Sequence, residues 1–137
     1  VAHHQVVQSC ADAAESLGFP YHIGTTRSAD TFFACHPKPG SSFRNYWQSS
    51  WANFFEDLQR MNVYGAEMET SIVLVLGRIW GVRAGSMAVC LDNLLHVSDG
   101  ADSFDPQTQL SHSQDNIKKL SIAGCEALLR LWRNDNK

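Results

Sequence analysis

Apolar residues recur along this chain in two rhythms, and the change between them divides it into elements. At the start Val6, Val7, Cys10, Ala13, Ala14 and Leu17 fall on one helical stripe, with Gly18 where a helix stop belongs. The spacing predicts a first helix over 1–17, with no capping residue ahead of it and the abrupt start of something longer. Residues 19–26 alternate apolar and polar, a strand pattern. Two prolines, a glycine and two serines then mark 34–45 as a long loop, a place for a substrate lid or specificity segment. Over 46–61, Trp47, Trp51, Phe54, Phe55, Leu58 and Met61 recur at three- and four-residue steps, predicting an amphipathic helix with Ser50 as a candidate cap. The interval 95–113 is polar and acidic and reads as a mobile loop. Ile117, Leu120, Ile122, Ala123, Ala127, Leu128, Leu131 and Trp132 then predict a closing helix over 114–132, packed on a sheet.

Between these lies the most ordered stretch, 63–93. It reads as a short strand, a helix over 72–79 that is apolar nearly all round and ended by Gly81, and a buried strand over 82–91. A helix of that kind is expected to be covered on both sides. The whole pattern is α/β.

Composition narrows the function classes. With 137 residues, 44% hydrophobic and 18% charged, the chain suits one globular domain or part of one and is too apolar for disorder. A net charge of −3 with scattered basic residues gives no field for a nucleic-acid backbone. The longest strongly apolar run, 72–76, is too short to span a membrane, and the opening V-A-H-H-Q lacks the regions of a signal peptide, so a cytoplasmic location is the default expectation. Cys10, Cys35, Cys90 and Cys125 are far apart and are expected to be reduced and mostly buried, and no metal cluster is evident. His3 and His4, being adjacent, are not expected to share a face.

The chemistry concentrates where the first strand of the 63–93 stretch passes into its helix, at Glu67 and Glu69. Open α/β sheets bind ligands at the carboxyl ends of their strands, where polar groups converge without being sealed into a layer. Acidic residues also favour helix N-termini on electrostatic grounds alone. At such a transition one carboxylate faces a pocket while the other is held by backbone donors. A carboxylate at a strand end also suits the vicinal hydroxyls of a ribose, since its two oxygens accept two hydrogen bonds side by side.

The run A-E-M-E-T-S, a buried helix, then G-V-R-A-G-S-M-A-V-C-L-D-N, together with H-I-G-T-T-R-S-A-D-T-F-F upstream, resembles the nucleoside phosphorylases of the hexameric type, nearest the uridine-specific branch. The resemblance spans nearly the whole chain but only the C-terminal half of such an enzyme. It implies a three-layer α/β/α fold around a mixed, partly barrel-like sheet, of which residues 1–137 are the C-terminal part. It also implies phosphorolysis of nucleosides with inorganic phosphate as co-substrate, no metal or other cofactor, and a homo-oligomer, dimer or hexamer. By the same resemblance Glu69 binds the ribose hydroxyls and carries the catalytic role, Met68 lines the sugar, Glu67 holds the segment and Phe32 packs on the base. Leu91, Asp92 and Asn93 complete the substrate-binding set.

The chain departs from that pattern at the base. His36, Pro37 and Lys38 stand where the uridine-specific enzymes carry Gln-x-Arg, so a guanidinium fork is replaced by a point charge. Asp92-Asn93 stand where the purine-specific enzymes carry Ser-Asp, one residue out of step. Pyrimidine is weighted over purine. The family's glycine-rich phosphate loop has no counterpart between Val1 and Lys137, and Arg27, Arg44 and Arg83 read as surface pairing partners, so the chain alone is expected to be inactive. A nucleosidase of the same fold and a non-catalytic nucleoside-binding or oligomerisation module are the competing classes.

Overall fold

The computed structural model describes residues 1–30, 43–46, 53–91 and 106–136. Along them run helix α1 (His4–Ser16), strand β1 (Thr25–Ser28), a 3-10 turn (Phe43–Asn45), α2 (Phe54–Arg60), β2 (Val63–Glu67), α3 (Thr70–Ile79) and α4 (Pro106–Asp135). β1 and β2 form a two-stranded parallel sheet, which with the helices makes the architecture α/β.

α1 forms where the apolar stripe places it. Its start is capped after all: the Nδ1 atom of His3 accepts the Gln5 amide at 3.3 Å. His3 is extended (φ −73°, ψ 128°), and its ring stacks on that of His4 with centroids 4.8 Å apart. The two rings therefore do share a face, because one residue lies outside the helix and the other inside it. At the far end Gly18 takes φ 68°, and the Phe19 amide closes on the Ala14 carbonyl at 2.9 Å, a glycine-terminated helix.

The chain's two ends meet in a helix pair. Ala13 and Ala14 of α1, and Ala123 and Ala127 of α4, are buried, and the hydroxyl of Ser9 donates to the Ala127 carbonyl at 2.7 Å. Small side chains on both faces allow close approach of the helices. Among the described residues α1 is thus the main partner of α4, where packing on a sheet was expected. α4 also begins at Pro106, inside the interval read as a loop; a proline is well placed at a first helical position, where its missing N–H costs nothing.

The strand expected over 19–26 forms later, at Thr25–Ser28. Pairing with β2 sets its limits: Thr25 faces Val63, an irregularity follows, and Thr26, Arg27 and Ser28 then face Gly65, Ala66 and Glu67. α2 occupies only the end of the helix expected over 46–61; Trp47, Ser50 and Trp51 lie outside the described residues, and Arg44 in the preceding turn takes φ 57°.

α3 ends as its sequence predicts, with Gly81 at φ 65° and the Val82 amide returning to the Gly77 carbonyl at 2.8 Å. Gly77 is its one buried residue. A Cβ there would lie 2.6 Å from that of Ala84, so the absent side chain is what lets residues 82–91 run against the helix. The other faces are open among the described residues: Ile72, Val75, Ile79 and Trp80 are all exposed, Ile79 at 69%. Among the described residues the expected cover on both sides of this helix is not found: Gly77 alone of its residues is buried. Residues 82–91 make no ladder with the described residues, so the expected strand is not formed among them; a strand needs a hydrogen-bonded neighbour as well as an apolar pattern. Cys90 and Cys125 are exposed, against the expectation of burial, while Cys10 is half-buried and burial pushes its thiol up; Cys35 lies outside the described residues. No helix among the described residues is long and apolar enough to cross a membrane.

Candidate functional site

β2 delivers Glu67 at its last position, Met68 follows, and Glu69 is the N-cap residue of α3. The local sequence explains the break. Val63 and Tyr64 are residues that favour a strand, and Thr70 opens an apolar run of helical length.

The two carboxylates have different surroundings. Glu67 is half-buried and tied on every side. Its Oε1 accepts the hydroxyl of Ser28, its register partner on β1, while its Oε2 accepts the amides of Glu69 at 2.8 Å and Thr70 at 2.5 Å. It therefore satisfies the free donors at the start of α3, where Glu69 makes no side-chain cap bond. Partial burial pushes the Glu67 carboxyl up, but the Ser28 hydroxyl, the Thr70 amide and hydroxyl, and the Glu69 amide outweigh it and hold it at about 2. Glu69 is exposed, and one of its oxygens, Oε2, accepts the Met68 amide at 3.2 Å. Its carboxylate stands where a solute reaches it.

Both glutamates line a cleft of about 220 Å³, together with Thr70 and Val73 of α3 and Gly85, Ser86, Met87 and Ala88 of the returning segment. Thr70 and Ser86 join its two walls, hydroxyl to hydroxyl, at 3.0 Å. The lining mixes one apolar side with carboxylates and hydroxyls, a surface suited to a small polyol with an apolar edge.

Of the residues singled out from sequence, Glu67 and Glu69 come together in this cleft. Met68 is 41% exposed beside it, and Leu91 is exposed at the end of the returning segment. Phe32, His36, Lys38, Asp92 and Asn93 lie outside the described residues. Ser28, Thr70 and Ser86 were not anticipated. Only Ser28 had a detectable signal, a hydroxyl beside the predicted strand upstream; its pairing with Glu67 depends on register. The three arginines are engaged at the surface. Arg27 lies over the Phe54 ring at 4.6 Å and Arg44 over Phe43 at 5.2 Å, while Arg83 pairs with Asp135 and donates to Gln5 at 3.0 Å.

Comparison with known proteins supplies the context. A family model described as the phosphorylase superfamily matches residues 1–130. A uridine phosphorylase of Thermococcus kodakarensis is 38% identical over 93 residues, covering 68% of this chain and 33% of that protein. A uridine phosphorylase of Haemophilus influenzae is 29% identical over 133 residues, 94% of this chain and 49% of its own length. A DeoD-type purine nucleoside phosphorylase of Psychromonas ingrahamii is 25% identical over 117 residues, 83% of this chain and 41% of that protein. The chain spans about a third to a half of the length of the curated relatives it matches.

Proposed function

We propose that this chain, which belongs to the phosphorylase superfamily, carries the sugar-binding part of a nucleoside phosphorylase that acts on pyrimidine nucleosides, converting uridine and phosphate to uracil and ribose 1-phosphate. The observation that carries the reading is the unequal pair at the end of β2: Glu67 locked by Ser28 and two amides, Glu69 exposed on the same cleft. A carboxylate held at that point accepts the 2′ and 3′ hydroxyls of a ribose. Met68 lies along the sugar's apolar edge, with Leu91 nearby.

In the reaction a phosphate oxygen bonds to C1′ as the bond from C1′ to the base nitrogen breaks, and the base leaves with that electron pair and takes up a proton. Glu69 acts by placing the sugar and by putting negative charge beside the positive charge that develops on the ring. Phe32 packs on the base, and His36 and Lys38 receive the charge that collects on it, with Asp92 and Asn93, next in sequence after Leu91, completing the substrate-binding set. Inorganic phosphate is the co-substrate.

The open apolar face of α3, Ile72, Val75, Ile79 and Trp80, supports a further part of this reading. The chain forms the C-terminal part of one three-layer domain whose remaining strands cover that face and pair with residues 82–91, and the complete protein assembles as a homo-oligomer. A second reading, purine nucleosides as substrate, draws on the similarity to the DeoD-type protein.

The test is release of free base from uridine and from inosine, each with and without phosphate, by the longest natural polypeptide containing this chain. Phosphate-dependent uracil release, lost in Glu69→Ala, is the expected result. Hypoxanthine release moves the assignment to purines, phosphate-independent release makes the protein a nucleosidase, and no release at all removes the enzymatic reading.

A further inference from the structure

We propose that Ser28 is a positioning residue of the nucleoside site: acting through the Glu67 carboxylate, its hydroxyl sets the backbone at Glu69 and so the direction in which Glu69 meets the sugar. The inference rests on the nucleoside reading above and goes beyond it, because Ser28 belongs to the upstream strand and its hydroxyl bonds to Glu67 of the E-M-E run.

The geometry runs in one line. Ser28 and Glu67 are register partners at the ends of two parallel strands, so their side chains leave the same face of the sheet. The Ala29 amide donates to the Glu67 carbonyl at 2.8 Å, which fixes the backbone of the pair independently of either side chain. What it leaves loose is the carboxylate, whose terminal torsion is broad in a glutamate. The Ser28 hydroxyl removes that freedom by holding Oε1, which leaves Oε2 to accept both Glu69 and Thr70 amides. Those amides belong to the residue that presents the working carboxylate and to the one tied across the cleft to Ser86. Without the hydroxyl, the strand pairing remains and the carboxylate turns freely, so the Glu69 peptide loses its fixed acceptor.

The experiment compares Ser28→Ala, Ser28→Thr and the unaltered protein, in the longest natural polypeptide containing this chain, on uridine and 2′-deoxyuridine. Misplacing a reacting group by a fraction of an ångström to 1 Å costs up to about a hundredfold in rate, so Ser28→Ala is expected to lose about tenfold in kcat/KM on uridine. The loss on 2′-deoxyuridine is smaller, since that sugar offers Glu69 one hydroxyl fewer, and Ser28→Thr, which keeps the donor, regains most of the activity. Equal losses on the two substrates mark a merely structural role and overturn the proposal, as does unaltered turnover in Ser28→Ala. Amide hydrogen exchange at Glu69 and Thr70, followed without substrate, separates this inference from the reading beneath it. Faster exchange in Ser28→Ala supports the linkage and unchanged exchange overturns it, whereas a protein that releases no base from either nucleoside overturns the substrate assignment and the positioning role of Ser28 with it.

Discussion

The Glu67 carboxylate accepts the Thr70 amide at 2.5 Å, so the last residue of a strand caps the helix that follows it. The same oxygen takes the Glu69 amide at 2.8 Å, and Glu69 is left with no capping duty of its own. One carboxylate shapes the turn and the other is presented by it.

This division makes stability depend on pH in a definite direction. Glu67 is held at about 2 in the folded protein, against an ordinary value of 4.5, so folding favours its charged form. The contribution is complete above pH 4.5 and is lost as the pH falls from there toward 2. Urea midpoints of the unaltered protein and Glu67→Gln should differ by a constant amount above that window and converge within it. A gap that stays constant down to the acid end would show that the carboxylate charge is not what matters.

At Glu69 the expected effect is on chemistry and not on folding. Removing one preorganised electrostatic partner of a transition state costs roughly a hundred- to a thousandfold. Glu69→Gln should therefore lower kcat/KM on a ribonucleoside by about that factor, and by less on its 2′-deoxy analogue. Thermal unfolding should be unmoved, because this side chain is exposed and its hydrogen bond among the described residues is to the neighbouring Met68 amide. Equal loss on both substrates would mean that the carboxylate does not read the hydroxyls.

Two glycines should respond in opposite senses to the same substitution. Gly77→Ala places a methyl 2.6 Å from the Ala84 Cβ and 3.2 Å from the Val82 carbonyl, both parts of a packed segment. Overpacking of this kind costs about 1–3 kcal/mol, enough to cancel or exceed the helix preference of alanine, about 1 kcal/mol. Gly124, inside α4, has nothing within 4 Å of such a methyl. Gly124→Ala should stabilise by about 0.5–1 kcal/mol. Denaturant unfolding of the two variants decides it, and a stabilising Gly77→Ala would show that residues 82–91 do not rest against α3.

Where α1 meets α4, Ser9→Ala removes the buried hydroxyl that donates to the Ala127 carbonyl at 2.7 Å. That carbonyl belongs to the interior of a helix, so the loss should be near one ordinary hydrogen bond, about 0.5–1.5 kcal/mol. Ser9→Leu at the same buried position should cost more by forcing the helices apart. The comparison is again by urea midpoint, and an indifferent Ser9→Leu would place the helix contact elsewhere.

What the sequence determined by itself was local or carried by ordered motifs. The stripe from Val6 to Leu17, the stops at Gly18 and Gly81 and the break from strand to helix at Glu67 to Thr70 follow from periodicity and from the backbone freedom of glycine, which neighbours in the chain decide. Family membership was legible for a similar reason, in the order and spacing of A-E-M-E-T-S and the segment after it. The tertiary structure decided the rest. Which strand end reaches Glu67 is a matter of register between β1 and β2, and a shift of one residue would have turned Ser28 away. That α4 packs on α1 came from matching alanines at the two ends of the chain, which no local window compares. Residues 82–91 carry a strand's pattern but form no strand among the described residues, because an apolar sequence specifies the faces it will bury, while the hydrogen bonds that make a strand come from another segment.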